Sequence, residues 1–272
     1  MIKVDYTTVI EANQFPDHTL LVKAPTLRGH GEWVHITWNY ENDAELFTLI
    51  CLRKHYSRAK AILYMPYCPH ARMDRVKESN DVFTLKYFAE IINDLNFERV
   101  DILDPHSSVC TALINNVRVL DPKQHIKSSM FGALGRCYFN WNTVSDELLM
   151  FYPDEGAMKR YSGMISLPYA FGIKKRDWKT GTIEGLDVAG EINQIAGKKI
   201  LIIDDICSRG GTFYHSAKKL KELGAKEIYL YITHCENTIL EGELLTSGLI
   251  EKVYTTNSIF TKEHEKIEVF EI

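Results

Sequence analysis

The sequence predicts an α/β protein of two lobes, each with a central, mainly parallel sheet flanked by helices. Three observations carry this expectation. Apolar runs of strand length alternate with helical stripes in both halves of the chain. The run Ile200–Ile203 is apolar at every position, as in a parallel strand covered on both faces. The stretch Asp121–Ser129 (DPKQHIKSS) is polar, contains a proline and interrupts the rhythm, which sets a first lobe at 1–123 and a second at 124–272.

In the first lobe, Asn42 with Glu45 three residues on suggests a capping box opening a helix through Leu46, Leu49, Ile50 and Arg53. A strand is expected at Ala61–Pro66. A helix follows over Asp81–Asn93, where Leu85, Phe88, Ala89 and Ile92 form one stripe, and then a strand at Val100–Asp104. Trp33, Trp38 and Tyr40 read as core or lobe-packing residues. In the second lobe, Leu148–Tyr152, Ile165–Tyr169 and Ile228–Thr233 read as strands. A helix over Phe213–Leu223 buries Phe213, Ala217 and Leu220 and ends at Gly224, a C-terminal glycine cap. Lys174–Gly190 is polar and dotted with glycine, and reads as a mobile loop.

Composition narrows the class. Hydrophobic residues make up 45% and charged residues 25% of the 272 positions, as in ordinary globular proteins. The net charge of −4 disfavours a protein built to coat nucleic acid. No apolar run is long enough to span a bilayer, and the opening MIKVDYTTVIEANQF lacks the apolar stretch of a signal peptide. The six cysteines form no CxxC pair and read as buried or neutral thiols rather than disulfides or a zinc site. These features together predict a cytoplasmic protein without membrane or nucleic-acid partners.

The segment KILIIDDICSRGGT, Lys199–Thr212, carries the most specific chemistry. An apolar strand ends in Asp204 and Asp205, and a turn leads through Ser208, Arg209, Gly210 and Gly211 to Thr212 and a helix. Ligands of open α/β sheets sit beyond the carboxyl ends of strands. Glycines let N–H groups converge on an anion, the helix start adds positive dipole, and carboxylates accept hydrogen bonds from sugar hydroxyls. A solvated acid pair in an ordinary turn is the bland alternative. Neither a Walker loop nor a dinucleotide fingerprint is present. The arrangement resembles the phosphoribosyl-binding loop shared by type I phosphoribosyltransferases and ribose-phosphate pyrophosphokinases (synthetases of 5-phosphoribosyl 1-diphosphate, PRPP).

Further segments resemble the pyrophosphokinases specifically. YCPHARMDR, Tyr67–Arg75, is similar to their Y-x-x-x-A-R-x-D-[RK] segment, which implies ATP contacts for Arg72, Met73, Asp74 and Arg75. LDPHSS, Leu103–Ser108, resembles the family's D-L-H-A, which implies contact of His106 with ATP and magnesium. FYPDEGAMKR, Phe151–Arg160, resembles S-P-D-x-G-[GA]-x-K-R and places Asp154 on the metal-linked aspartate. Lys174 and Arg176 fall on the K-x-R pair of the catalytic loop. FPDHT, Phe15–Thr19, resembles F-S-D-G-E, which reaches a neighbouring subunit's adenine site; Phe15 and Asp17 match, and Thr19 replaces a glutamate. Taken alone, each has a plainer reading, as a charged loop, a turn, a solvated basic run or, for His106, a structural histidine; in order, through TTNSI at Thr255–Ile259, they span nearly the whole chain.

The resemblance implies two type I phosphoribosyltransferase-like lobes. It also implies a Mg2+-assisted transfer of the diphosphoryl group of ATP to ribose 5-phosphate, with ATP on the first lobe and ribose 5-phosphate held by Asp204, Asp205 and Ser208–Thr212 on the second. A homo-oligomer, dimer or higher, is implied as well. Relative to the family the chain would lack the first strand and helix, ahead of Phe15, and the final helix, and it resembles compact phage-type enzymes. Ser208-Arg209 stands where Asp-Thr is frequent. Two rivals are a type I phosphoribosyltransferase, which should lack ARMDR and DPH, and a non-catalytic regulatory relative, which should lack the K-x-R pair or the metal aspartate.

Overall fold

The computed structural model describes the chain except for residue 11, residues 28–32, 138–139 and 177–182, and the side chains of residues 12, 141–142, 174–176 and 183–186. It contains two compact units, Met1–Asp121 and Pro122–Ile272. Among the described residues, no helix is long and apolar enough to cross a membrane.

The first unit runs β1 (Ile2–Val4), β2 (Thr8–Val9), β3 (Ala12–Gln14), β4 (Leu20–Val22), β5 (Trp33–Trp38), α1 (Ala44–His55), β6 (Lys60–Tyr64), α2 (Thr84–Asp94), β7 (Arg99–Leu103), α3 (Ser108–Leu113) and β8 (Val117–Leu120). Its six-stranded sheet has the order β2-β1-β5-β6-β7-β8, while β3 and β4 form a separate hairpin. Strands β5 to β8 pair in parallel; β1 and β2 add an antiparallel edge. Among the described residues the unit has one core, in which Val34, Ile36, Trp38, Leu63, Val100 and Ile102 of the sheet pack with Leu49 and Leu52 of α1 and Leu85, Phe88 and Ile92 of α2.

The second unit runs α4 (Lys123–Leu134), α5 (Trp141–Glu147), β9 (Leu148–Tyr152), α6 (Glu155–Tyr161), β10 (Tyr169–Arg176), β11 (Ile183–Gly190), β12 (Lys199–Cys207), α7 (Gly211–Glu222), β13 (Glu227–Cys235), β14 (Lys252–Thr256) and β15 (Ile267–Phe270). The sheet order is β11-β10-β9-β12-β13-β14-β15, parallel except at β11. Here both faces are covered. Leu149, Phe151, Ile200, Ile202 and Leu230 pack with Phe213, Ala217 and Leu220 of α7. Met150, Tyr152, Leu201, Ile203 and Tyr231 pack with Met130 and Ala133 of α4 and Tyr161 of α6. A strand buried on both sides has no reason to alternate, which accounts for the unbroken apolar runs.

The α/β class, the parallel sheets and most elements agree with the sequence expectations, with local corrections. Ile165–Pro168 is not a strand. Ile165 and Leu167 are buried, but the Leu167 N–H turns back to the Ile165 carbonyl (2.9 Å), and pairing with β9 begins only at Tyr169. Their apolar character reflects packing, not a ladder. Lys174–Arg176 and Ile183–Gly190 are not loop either; they belong to the antiparallel β10–β11 pair. The capping box is redistributed. Asp43 is the N-cap residue of α1. Asn42 Oδ1 accepts from the Ala44 N–H (3.1 Å), and Glu45 accepts from the Glu41 N–H and Trp38 Nε1 (both 2.9 Å). Trp38 is fully buried, but Trp33 is 46% exposed and is not a core residue. Four thiols are buried, those of Cys68, Cys110, Cys207 and Cys235.

Candidate active site

The second unit carries the acid pair and glycine turn that the sequence singled out. β12 delivers Asp204 and Asp205 at its carboxyl end, and the chain turns through Ser208–Gly210 into α7. Gly210 adopts φ 82°, a left-handed conformation that favours glycine. A Cβ there would also lie 2.9 Å from Leu244 Cδ2. The first bond beyond this turn, Tyr214 N–H to the Gly210 carbonyl (2.9 Å), leaves the first-turn N–H groups of α7 at the loop, the arrangement that holds anions. At its other end α7 closes on Gly224, with Gly224 N–H to Lys221 O and Ala225 N–H to Leu220 O (both 3.0 Å).

The acid pair is asymmetric. Asp205 is buried, and its Oδ2 lies 3.1 Å from Arg160 Nη1. Its N–H donates to Asp204 Oδ1 (3.0 Å). Burial, followed by the neighbouring charges of Asp205 and Asp154, raises the Asp204 carboxyl well above the ordinary carboxylate range. Arg160 favours the charged form of Asp205, and Asp204 is the member of the pair that holds a proton more readily. The pair can therefore both accept from and donate to sugar hydroxyls. Asp154 caps α6, accepting from the Ala157 N–H (3.0 Å). β9 and β12 are neighbours, which brings Asp154 into electrostatic contact with Asp204.

Contacts from far along the chain hold the loop. The Arg209 guanidinium bonds Glu241 (Nη2 to Oε2, 3.0 Å). Ser208 Oγ lies 3.2 Å from Thr238 Oγ1, which donates to Glu236. A Cβ at Gly242 would come within 1.9 Å of the Arg209 carbonyl oxygen, so the backbone approach there requires glycine. Sequence reasoning missed this buttress and the role of Arg160. Arg160 stood inside the quoted FYPDEGAMKR segment, but the buttress left no local signal, because its members are some thirty residues from the loop.

The first unit brings two other segments together. Asp74 is buried, and Arg75 Nε donates to its Oδ1 (2.9 Å). Burial opposes ionisation of Asp74, but Arg75, the adjacent Ser107 hydroxyl and His106 outweigh it and hold the carboxyl below its ordinary value. Thus ARMDR, after β6, meets DPHSS, after β7. Arg72 and Arg75 are exposed and Met73 half-buried. Cys68 and Cys110, behind these segments, place their sulfurs 2.9 Å apart. Phe15 and Asp17 lie in the β3–β4 turn. Phe15 is exposed, and Asp17 accepts from the Thr19 N–H (3.0 Å) and hydroxyl (2.7 Å), which lowers its pKa. The backbone of Lys174 and Arg176 is in β10, and their side chains lie outside the described residues.

Comparison with known proteins gives this geometry a family. A family model described as the phosphoribosyl synthetase-associated domain matches residues 184–272. The ribose-phosphate pyrophosphokinase 1 of Listeria monocytogenes is 30% identical over 237 residues, covering 85% of this chain and 70% of the relative. The chain belongs to the ribose-phosphate pyrophosphokinase family. The pyrophosphokinase of Bacillus caldolyticus is 31% identical over 234 residues, covering 84% of this chain and 69% of that protein. The crystal structure of phosphoribosylpyrophosphate synthetase from Mycobacterium smegmatis superposes with a TM-score of 0.73 at 18% identity, covering 97% of this chain and 86% of that one, a likeness of fold. Within a pyrophosphokinase fold, the acid pair and glycine turn of the second unit and the Asp74–His106 cluster of the first are the two candidate substrate sites. Among the described residues no group of three or more His, Cys, Asp or Glu could hold a metal ion by itself.

Proposed function

We propose that the protein is a ribose-phosphate diphosphokinase, converting ATP and D-ribose 5-phosphate to AMP and PRPP. The observation that carries this reading is the cluster of Asp74 with Arg75, Ser107 and His106. It joins two nucleotide-type segments in a chain whose other unit carries a sugar-phosphate loop. A type I phosphoribosyltransferase has use for the loop alone. The retained Lys174, Arg176 and Asp154 speak against a non-catalytic regulator.

In the second unit, Asp205 and Asp204 take the ribose hydroxyls, while the turn Ser208–Thr212 and the first-turn N–H groups of α7 take the 5-phosphate. Arg209 contributes by fixing the turn through Glu241. In the first unit, Arg72 and Arg75 engage the ATP phosphates, Asp74 orients Arg75, and Met73 and His106 line the nucleotide. Phe15 and Asp17 reach an adenine. The anomeric oxygen attacks the β-phosphorus in line, the bond from that phosphorus to the α,β-bridging oxygen breaks, AMP leaves, and the hydroxyl proton passes to solvent. Lys174 and Arg176 stabilise charge on the transferred group.

Magnesium takes oxygen ligands and keeps several waters, so it needs few protein groups. The carboxylate of Asp154, with one oxygen engaged by the Ala157 N–H, fits such a role in the second unit, and His106 fits it in the first. When bound, Mg2+ neutralises phosphate charge. We also assign the protein to the cytoplasm and to a homo-oligomer, which light scattering would test. The deciding assay supplies ATP, Mg2+ and ribose 5-phosphate: AMP and PRPP should form in equal amounts. ADP in place of AMP would overturn the reading.

A further inference from the structure

Two thiols meet behind the nucleotide-type segments of the first unit. Cys68 lies in residues 65–83, a stretch with neither helix nor strand that carries ARMDR. Cys110 lies in α3, whose N-cap residue is Ser107 of DPHSS. The two are 42 positions apart in sequence, yet Cys110 Sγ–H donates to Cys68 Sγ at 2.9 Å, and Cys68 donates on to the Pro69 carbonyl at 3.6 Å. Both are buried. The same two segments are joined a second time where Ser107 meets Asp74.

A disulfide needs its sulfurs to close to about 2.05 Å, so this pair has about 0.9 Å to travel. At rest the thiols are quiet. The hydrogen bond to Cys110 and burial push the Cys68 thiol up, and little thiolate is present. Reaction therefore awaits local opening, and residues 65–83 suit it. The stretch has no ladder or helix of its own, and residues 75–80 are exposed. Cys207 and Cys235 make an instructive contrast. They are buried register partners on β12 and β13. Both stand in strands paired along their length, where opening means losing the sheet.

We propose that Cys68 and Cys110 are a reversible disulfide site, closed by hydrogen peroxide and reopened by thiols, that staples the ARMDR segment to α3 and lowers turnover. Peroxide transfers one oxygen to the Cys68 sulfur, giving a sulfenic acid and one water. The Cys110 sulfur attacks that sulfur, the S–O bond breaks, and the hydroxyl leaves with the Cys110 proton as a second water. Two thiols are oxidised to one disulfide and one peroxide is reduced to two waters. In a reducing compartment such a bond forms transiently, as in a sensor. Closure draws residue 68 towards α3 and shifts Arg72–Arg75 against His106. A misplacement on the order of 1 Å can cost up to about 10²-fold in rate. The effect on turnover rests on the nucleotide reading of these segments; the crosslink rests on the thiols alone.

The test treats the full-length protein with rising doses of hydrogen peroxide, blocks remaining thiols by alkylation, and maps non-reduced peptides by mass spectrometry. Cys68 and Cys110 should appear joined, with Cys207 and Cys235 recovered as thiols. The crosslink closes a long span, so the oxidised protein should melt several degrees higher. Its turnover of ATP and ribose 5-phosphate should fall about tenfold or more, and dithiothreitol should reverse both changes. Cys110→Ala and Cys68→Ala should each keep their turnover at the same dose. No joined peptide at a dose that oxidises the exposed Cys137 would overturn the proposal. So would a crosslinked protein with unchanged turnover, or a loss of turnover that persists in Cys110→Ala. If the alanine variants do not fold, reversal by dithiothreitol in the unsubstituted protein still decides. If the reduced protein makes no AMP, the diphosphokinase reading fails, while the crosslink and the melting shift still judge the thiol site.

Discussion

Arg160 Nη1 stands 3.1 Å from Asp205 Oδ2, joining the helix after β9 to the acid pair at the end of β12. The relationship divides the pair: the guanidinium favours the charged form of Asp205, while burial and the neighbouring carboxylates raise Asp204 well above the ordinary carboxylate range. Breaking a buried pair by removing one member is costly, and Arg160 is only 24% exposed. Arg160→Gln is expected to lower stability by about 2–4 kcal/mol and to weaken ribose 5-phosphate binding. Urea unfolding and direct titration of the sugar phosphate measure the two effects, and Arg160→Lys should recover part of each. Unchanged ribose 5-phosphate affinity in a folded Arg160→Gln protein would remove Arg160 from the site.

Asp204 predicts a pH signature. A carboxyl whose folded pKa is raised holds its proton more tightly folded than unfolded. Stability therefore falls as pH rises from the unfolded value, near 3.8, to the raised folded value. Asp204→Asn removes this penalty. Its melting temperature should exceed that of the unsubstituted protein by a margin that grows from acid to neutral pH, while catalysis drops. A margin independent of pH would contradict the assignment.

Lys174 and Arg176 are proposed to act on charge that develops during transfer. Alanine at either position should reduce kcat about 10²- to 10³-fold and leave ribose 5-phosphate binding largely intact. Single-turnover kinetics alongside equilibrium titration separate the two. Equal losses in binding and turnover would mean that these side chains hold substrate instead.

Gly210 tests the loop's backbone. Alanine there faces both the left-handed conformation and Leu244 at 2.9 Å. The expected cost is about 1–3 kcal/mol, with weaker sugar-phosphate binding. Shortening Leu244 in the same protein should relieve the contact and leave the backbone strain, so the double substitution should be non-additive. Strict additivity, measured by chemical denaturation, would show that the two residues do not meet.

Much of the fold was legible because its signals are local. Leu148–Tyr152 is a strand with the bounds its apolar run implies, and α7 buries Phe213, Ala217 and Leu220 and closes on Gly224 as its stripe and glycine indicate. Where the reading failed, partners were distant. Lys174–Arg176 and Ile183–Gly190 are polar enough to resemble loop, but they pair with each other. Ile165 and Leu167 are apolar for packing, and the ladder starts beyond Pro168.

Residue type at short spacing already sets the chemistry on offer: the acid pair, the glycine turn, the arginine–aspartate segment and the histidine after β7. Tertiary structure decided how those groups are poised. It placed Arg160 on Asp205, Glu241 on Arg209 and Ser107 beside Asp74, and it set Arg118 of β8 on Asp101 of the neighbouring β7. The physical reason is that charge state and backbone strain depend on what lies within a few ångströms, and strand order brings together residues that sequence spacing keeps apart.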